Sequence, residues 1–163
     1  MKLLRVFNRQ KTRKVNGRLL RSVALWALRE PLALSEYELA IHLVDSAEMA
    51  RINASFLGHE GSTDVITFNN AESGDSGLRG EIFISVADAV EYAKEFRTTW
   101  QAETARYVVH GFLHLLGYDD LAPGPRRSMK RRENELFKAA AARFNLDQLA
   151  LSVSPAKITR STP

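Results

Sequence analysis

Apolar residues along the chain recur with two periods, and each change of period marks a new element. Leu4 and Val6 alternate with Arg5, so Leu3 to Phe7 reads as a strand. A polar, basic connection, Arg9 to Lys14, follows. Asn16 then caps a predicted helix from Gly17 to Arg29, whose stripe is Leu20, Val23, Ala24, Ala27 and Leu28. Pro31 marks its end. Tyr37 to Val44 alternates again; Leu39, Ile41 and Leu43 share one face of that strand, so His42 belongs to the other. Asp45 or Ser46 caps a helix expected to run to about Phe56, with Met49, Ile52 and Phe56 as its apolar side. A loop bracketed by Gly58 and Gly61 holds His59 and Glu60. Thr63 to Phe68 and Gly80 to Ser85 are β-branched and aromatic strands, separated by a polar, Gly-rich loop expected to be flexible. Ser85 caps a predicted helix over Val86 to Phe96, whose apolar face is Ala89, Val90, Ala93 and Phe96.

The run Thr98-Thr99-Trp100-Gln101 has the form of a capping box and opens the next helix at about Trp100. Ala105, Val108, Val109, Phe112, Leu113, Leu115 and Leu116 make that helix apolar almost all round, so it is expected to be central and buried. Ala122 to Pro125 reads as a break. A last helix spans Arg126 to Phe144, with Met129, Leu136 and Phe137 inward and a basic start of Arg126, Arg127, Lys130, Arg131 and Arg132. Residues 145–163 are short on large periodic apolar residues and carry Pro155 and Pro163; they are expected to form a flexible tail behind a domain of residues 1–144. The order β, α, β, α, β, β, α, α, α predicts one α+β domain. It has a small mixed sheet of about four strands, a hairpin-like pair from TDVITF and GEIFIS, and parallel neighbours joined through helices.

The central helix also carries the chemistry. In HGFLHLLGYDD, His110 and His114 are four residues apart, which stacks both imidazoles on one helix face. Gly117 stands where a helix ends in the left-handed region. A chain that turns back there can bring Asp120 to the two rings. The offsets of +4, +7 and +10 are those of the metzincin zinc helix. Two imidazoles and one carboxylate leave a coordination position for water, as in a catalytic site. The peptidase base of HExxH is absent, because Gly111 occupies its place. Asp119 competes for the third ligand, but it fits better as a local turn bond. His42 is read as a sheet-face residue, not a ligand. Arg106 lies one turn before His110 on the same face.

Composition narrows the choices. Cysteine is absent, which excludes disulfides and thiolate sites and fits a reducing cytoplasm. No run is long and apolar enough to span a bilayer, and no signal-type apolar segment follows the basic start, so no membrane is expected. The net charge is +4, and the first 21 residues hold eight basic side chains and no acid. Such a balance favours a polyanion such as RNA, or simply a solvated basic face.

HGFLHLLGYDD resembles the signature of the YbeY family, bacterial metal-dependent endoribonucleases of ribosomal-RNA maturation, which usually reads HGxLHLxGYDH. TDVITF resembles the family's TDVLSF, and GEIFIS its GDIxIS. Met129, Glu133 and Leu136 match its M-x-x-x-E-x-x-L helix. The resemblance implies one zinc ion per chain, or another divalent transition metal, held by His110, His114 and Asp120. It also implies a role in small-subunit rRNA processing and ribosome quality control, with ribosomal RNA and ribosome-associated proteins as partners. Two positions differ. Asp120 replaces the family's third His, which lowers the site's charge by one and should acidify a bound water less. Leu57 stands at the family's Arg position in Phe56-Leu57-Gly58-His59-Glu60, where Arg51 or Arg106 could substitute. The leading expectation is a metal-dependent endoribonuclease. A second reading, motivated by Leu57 and Asp120, is a ribosome- or RNA-binding protein with a structural metal. A third is a metallopeptidase, against which Gly111 argues. No catalytic proton-transfer residue is assigned; His59 and Glu60 qualify only if their loop reaches the site.

Overall fold

The computed structural model describes residues 1–59 and 61–151. Its elements are β1 (Lys2–Asn8), α1 (Gly17–Arg29), β2 (Tyr37–Val44), α2 (Ser46–Ile52), β3 (Val65–Asn69), β4 (Leu78–Ser85), α3 (Val86–Phe96), α4 (Trp100–Leu115) and α5 (Pro123–Arg143). They form the α+β domain with a mixed four-stranded sheet that the periodicities predict. The strand order is β1-β2-β4-β3. β1 with β2 and β2 with β4 are parallel, while β3 and β4 are antiparallel, as expected for strands joined directly.

The alternation in β2 and β4 decides which face is covered. Leu39, Ile41, Leu43, Ile82 and Ile84 point to one side and are fully buried with Leu20 and Leu28 of α1 and Val108 and Phe112 of α4. Full burial of each such side chain stabilises by roughly 1.5–3 kcal/mol, so this layer is the main source of stability. On the other face Val44, Met49 and Ile66 form a smaller cluster under α2. His42 lies on that second face, stacked between Phe7 and Phe83 with its Nε2 2.9 Å from Glu81 Oε1. It is the sheet-face histidine the alternation predicts.

Caps fall where the sequence places them. Asn16, Asp45, Ser85 and Thr99 each accept a backbone N–H in the first turn of α1, α2, α3 and α4. Four expectations change. Phe96, placed on the apolar face of α3, is 54% exposed at the last turn of the helix. The helix expected to reach Phe56 is α-helical only to Ile52 and continues as a wider π-turn, Asn53–Leu57. Ala122 to Pro125 does not break the chain; Pro123 sits in the first turn of α5, where its missing N–H costs nothing. The expected tail does not fray at Asn145. Leu146–Leu149 forms a 3₁₀ turn with both leucines buried, and Asn16 N–H bonds Leu149 O while Leu151 N–H bonds Lys14 O. Two leucines three apart were the overlooked signal. The rest of the expected tail, residues 152–163, lies outside the described residues. Among the described residues, no helix is long and apolar enough to cross a membrane.

Candidate metal centre

The site begins with a helix end. α4 stops at Leu115, and Gly117 follows with φ +99°, a conformation that side chains with a Cβ resist. Tyr118 N–H bonds Leu113 O and Gly117 N–H bonds His114 O, both at 3.0 Å. This is the Schellman pairing, and Tyr118 adds its apolar contact by packing on the cluster of Val109, Leu113, Met129 and Leu136. The chain is thereby sent back toward the helix it has just left. Asp119 spends a carboxylate oxygen on Leu121 N–H at 2.8 Å, the local turn bond expected of it. The Asp120 carboxylate is left to face the histidines.

His110, His114 and Asp120 each offer one ligand atom, and these atoms all lie within 4.8 Å of one another. The two Nε2 atoms are 3.0 Å apart, and Asp120 Oδ2 is 3.4 Å from His114 Nε2 and 3.8 Å from His110 Nε2. An ion about 2.0–2.1 Å from tetrahedral N and O ligands holds them roughly 3.3 Å apart. The three separations bracket that value, so the donor set fits one small divalent ion. His59 is not part of this group, and Glu60 lies outside the described residues.

Behind His110 stands a residue to which the sequence reading gave no role. Glu133 of α5 is buried, with its side chain 5% exposed. Its Oε1 is 2.5 Å from His110 Nδ1, and its Oε2 accepts from Arg106 at 2.9 Å. Arg106 also donates to Asn134 Oδ1 and lies over the Phe137 ring at 4.3 Å. Burial pushes the Glu133 carboxyl up, but the bonds from His110 and Arg106 outweigh it and hold the group down at about 2. An anionic Glu133 keeps the proton of His110 on Nδ1 and turns the Nε2 lone pair toward the Asp120 side, the usual support of a metal-ligating histidine. Glu133 stands between Met129 and Leu136 in the buried stripe of α5. An acid at a core position of a helix was the available signal. Arg106, a candidate for the charge missing at Leu57, is committed to this pair. Leu57 itself is 47% exposed.

Arg126 closes the turn from the other side. Its Nε donates to Asp120 O at 2.9 Å and its Nη2 to Leu121 O at 3.3 Å. The ligand turn is thus pinned to α5.

Gly111 faces the sheet, not the site. A Cβ there would stand 2.8 Å from Ile82 Cγ2 and 2.9 Å from its Cδ1, in a fully buried layer. A peptidase glutamate has no room at this position, which removes the basis for the metallopeptidase reading. Gly111→Ala is expected to destabilise the protein despite alanine's better helix propensity. Overpacking costs about 1–3 kcal/mol against a propensity gain of about 1 kcal/mol, for a net loss of up to about 2 kcal/mol. Urea unfolding of the two proteins measures it; a stabilised variant would show that α4 can lift off β4 at no cost.

Comparison with known proteins agrees with this geometry. The family model for Endoribonuclease YbeY matches residues 5–141. An Endoribonuclease YbeY of Salinibacter ruber is 39% identical over 108 residues, covering 62% of this chain and 69% of the relative. One from Syntrophotalea carbinolica is 33% identical over 150 residues, covering 88% of this chain and 99% of the relative. The solution structure of TM1509 from Thermotoga maritima shares the fold, with a TM-score of 0.64 at 24% identity over 94% of this chain and 98% of that one. Gly117 turns the chain, Asp120 returns to two stacked histidines and Glu133 steadies the first of them, all within the matched span: the chain belongs to the endoribonuclease YbeY family.

Proposed function

We propose that the protein is a metal-dependent endoribonuclease that acts on ribosomal RNA during small-subunit maturation. The observation that carries this reading is the meeting of His110, His114 and Asp120 within one family span. Nitrogen and oxygen donors in an open three-ligand set suit Zn²⁺, with other divalent transition metals as competitors. A divalent ion held by these three residues would supply Lewis acidity toward a phosphoryl oxygen and would lower the pKa of a bound water toward neutrality.

The chain's own residues do the rest. His110 and His114 stand on consecutive turns of a buried helix, so their positions vary little as substrate binds. Glu133 keeps the His110 proton on Nδ1, away from the site. Asp120 supplies negative charge, which lowers the net charge of the site by one relative to a third imidazole and tempers that acidification. All three ligand side chains are 26–39% exposed, so the site lies open enough for a polymer to reach it. A backbone phosphate fits such an opening; a substrate that must be swallowed whole does not.

The absence of cysteine suits a reducing cytoplasm, and ribosome-associated proteins are the partners that such a substrate implies. The test is to incubate the zinc-loaded protein with structured ribosomal RNA, with and without a chelator. Fragmentation that disappears with the chelator and returns with added zinc is expected. Intact RNA under both conditions, from a protein that carries its ion, would overturn the proposal.

A further inference from the structure

The cleft beside the ligands has a wall that the ion does not explain. It holds about 170 Å³ and is lined by His110, Asp120, Arg126, Met129, Lys130 and Glu133. Arg126 and Lys130 are four residues apart on α5, hence one above the other on the face that looks into the cleft. Glu133 does not need either of them. It is already matched by Arg106 at 2.9 Å and by His110, whereas Lys130 Nζ adds only a long ion pair at 3.5 Å from a side chain 62% exposed. Its bonds to Asp120 O and Leu121 O occupy two of the five guanidinium donors of Arg126 and fix the plane of the group in advance. One wall of the cleft therefore presents two cations that no carboxylate in it requires, next to an ion-binding cluster.

We propose that Arg126 and Lys130 form a phosphate-binding subsite for the phosphodiester adjoining the one at the metal. Arg126 is the preset half and Lys130 the mobile half. This rests on the ribonuclease reading and deepens it: the ligand is a single RNA strand that lays two consecutive phosphates along the cleft, one on the ion and one on α5. Contacts of this kind carry no sequence preference and set position along the backbone.

The test uses the zinc-loaded protein and a short single-stranded RNA, with binding followed by anisotropy in the cold over a series of salt concentrations. Each phosphate contact to a single strand contributes about 0.7 to the slope of log affinity against log salt. Lys130→Gln is expected to lower that slope by about 0.7 and to weaken binding about threefold to fivefold, with metal content unchanged. Arg131→Gln makes the same charge change outside the cleft and should leave the slope as it is. RNAs carrying one neutral methylphosphonate on either side of the cleaved linkage give the direct readout. One of the two should bind the wild type more weakly by the same factor and Lys130→Gln no more weakly than the unmodified RNA does. An unchanged slope in Lys130→Gln, or equal further losses on the neutral linkages in both proteins, would overturn the subsite. Cleavage of the same RNA is followed in parallel. A wild type that binds with this salt dependence but does not cut would sink the ribonuclease reading and leave the subsite standing. A wild type that cuts while Lys130→Gln keeps its slope would sink the subsite alone.

Discussion

Replacing His114 with alanine is expected to empty the metal site and abolish RNA cleavage. The imidazole offers one of the three ligand atoms of the proposed site, and no other ligand group among the described residues joins the cluster to replace it. Two remaining donors, one of them a carboxylate 39% exposed, bind a divalent ion weakly against water. Loss of an outer partner alone typically costs 10–100-fold in metal affinity or activity, so loss of a ligand should reduce cleavage by at least about a hundredfold. Bound metal should fall from about one ion per chain to a small fraction of that. His114 is 29% exposed at the open end of α4, so its truncation leaves the core intact. The checks are metal content by elemental analysis, a thermal melt in chelator, and the RNA assay. A variant that keeps its ion, or cuts at the wild-type rate, would separate the metal from the activity.

The second large effect belongs to Glu133. Glu133→Ala removes the acceptor for His110 Nδ1 and leaves the Arg106 guanidinium, 23% exposed, without its carboxylate. Breaking a buried pair from one side costs about 3–5 kcal/mol, and the partial exposure of Arg106 places this case at the lower end. Metal affinity should fall about 10–100-fold because the His110 ring loses its orientation. Glu133→Gln separates the two roles. Its amide oxygen still accepts from Nδ1, so metal affinity should recover in part, while Arg106 stays uncompensated and most of the stability loss remains. Metal titration and urea unfolding read the two quantities. Equal loss of both in the Gln variant would mean that the charge, and not the hydrogen bond, steadies the ring. The acid limb of stability carries the same signature. The Glu133 carboxyl is at about 2 in the fold against a usual 4.5. A group depressed on folding stabilises fully above its unfolded value, so this contribution is complete above about pH 4.5 and is lost as pH falls toward 2. Glu133→Ala should lack that component of the metal-free protein's acid unfolding.

Much of this was legible before any coordinates. Caps at Asn16, Asp45, Ser85 and Thr99 are local hydrogen bonds, so the residues that make them are visible in a short window. The alternation in Tyr37 to Val44 fixes the sheet face of His42 because the side-chain period of a strand is two. The site was legible for a similar reason. His110, His114, Gly117 and Asp120 lie within eleven residues, and the helix period with one glycine turn brings them together. Glu133 was not legible as the partner of His110, because 23 residues and a second helix separate them. Its place in an apolar stripe and its match to the family's M-x-x-x-E-x-x-L helix marked the residue, but neither named its partner. The packing of Leu146 and Leu149 against the start of α1 depends on a contact across more than 130 residues, which no local pattern encodes. The π-turn at Asn53–Leu57 leaves Phe56 and Leu57 exposed where amphipathic spacing predicted a buried Phe56. It ends on a loop that bonds back to Asn53 through His59 N–H and Gly61 O, and tertiary anchoring there overrides the helical period.

The central claim is that one ion sits among three named atoms. Anomalous X-ray scattering from crystals grown with zinc measures it. The account predicts a single peak within about 2.0–2.2 Å of His110 Nε2, His114 Nε2 and Asp120 Oδ2. A peak elsewhere, a third ligand supplied by Asp119, or two imidazole rings turned apart with no peak between them would contradict it.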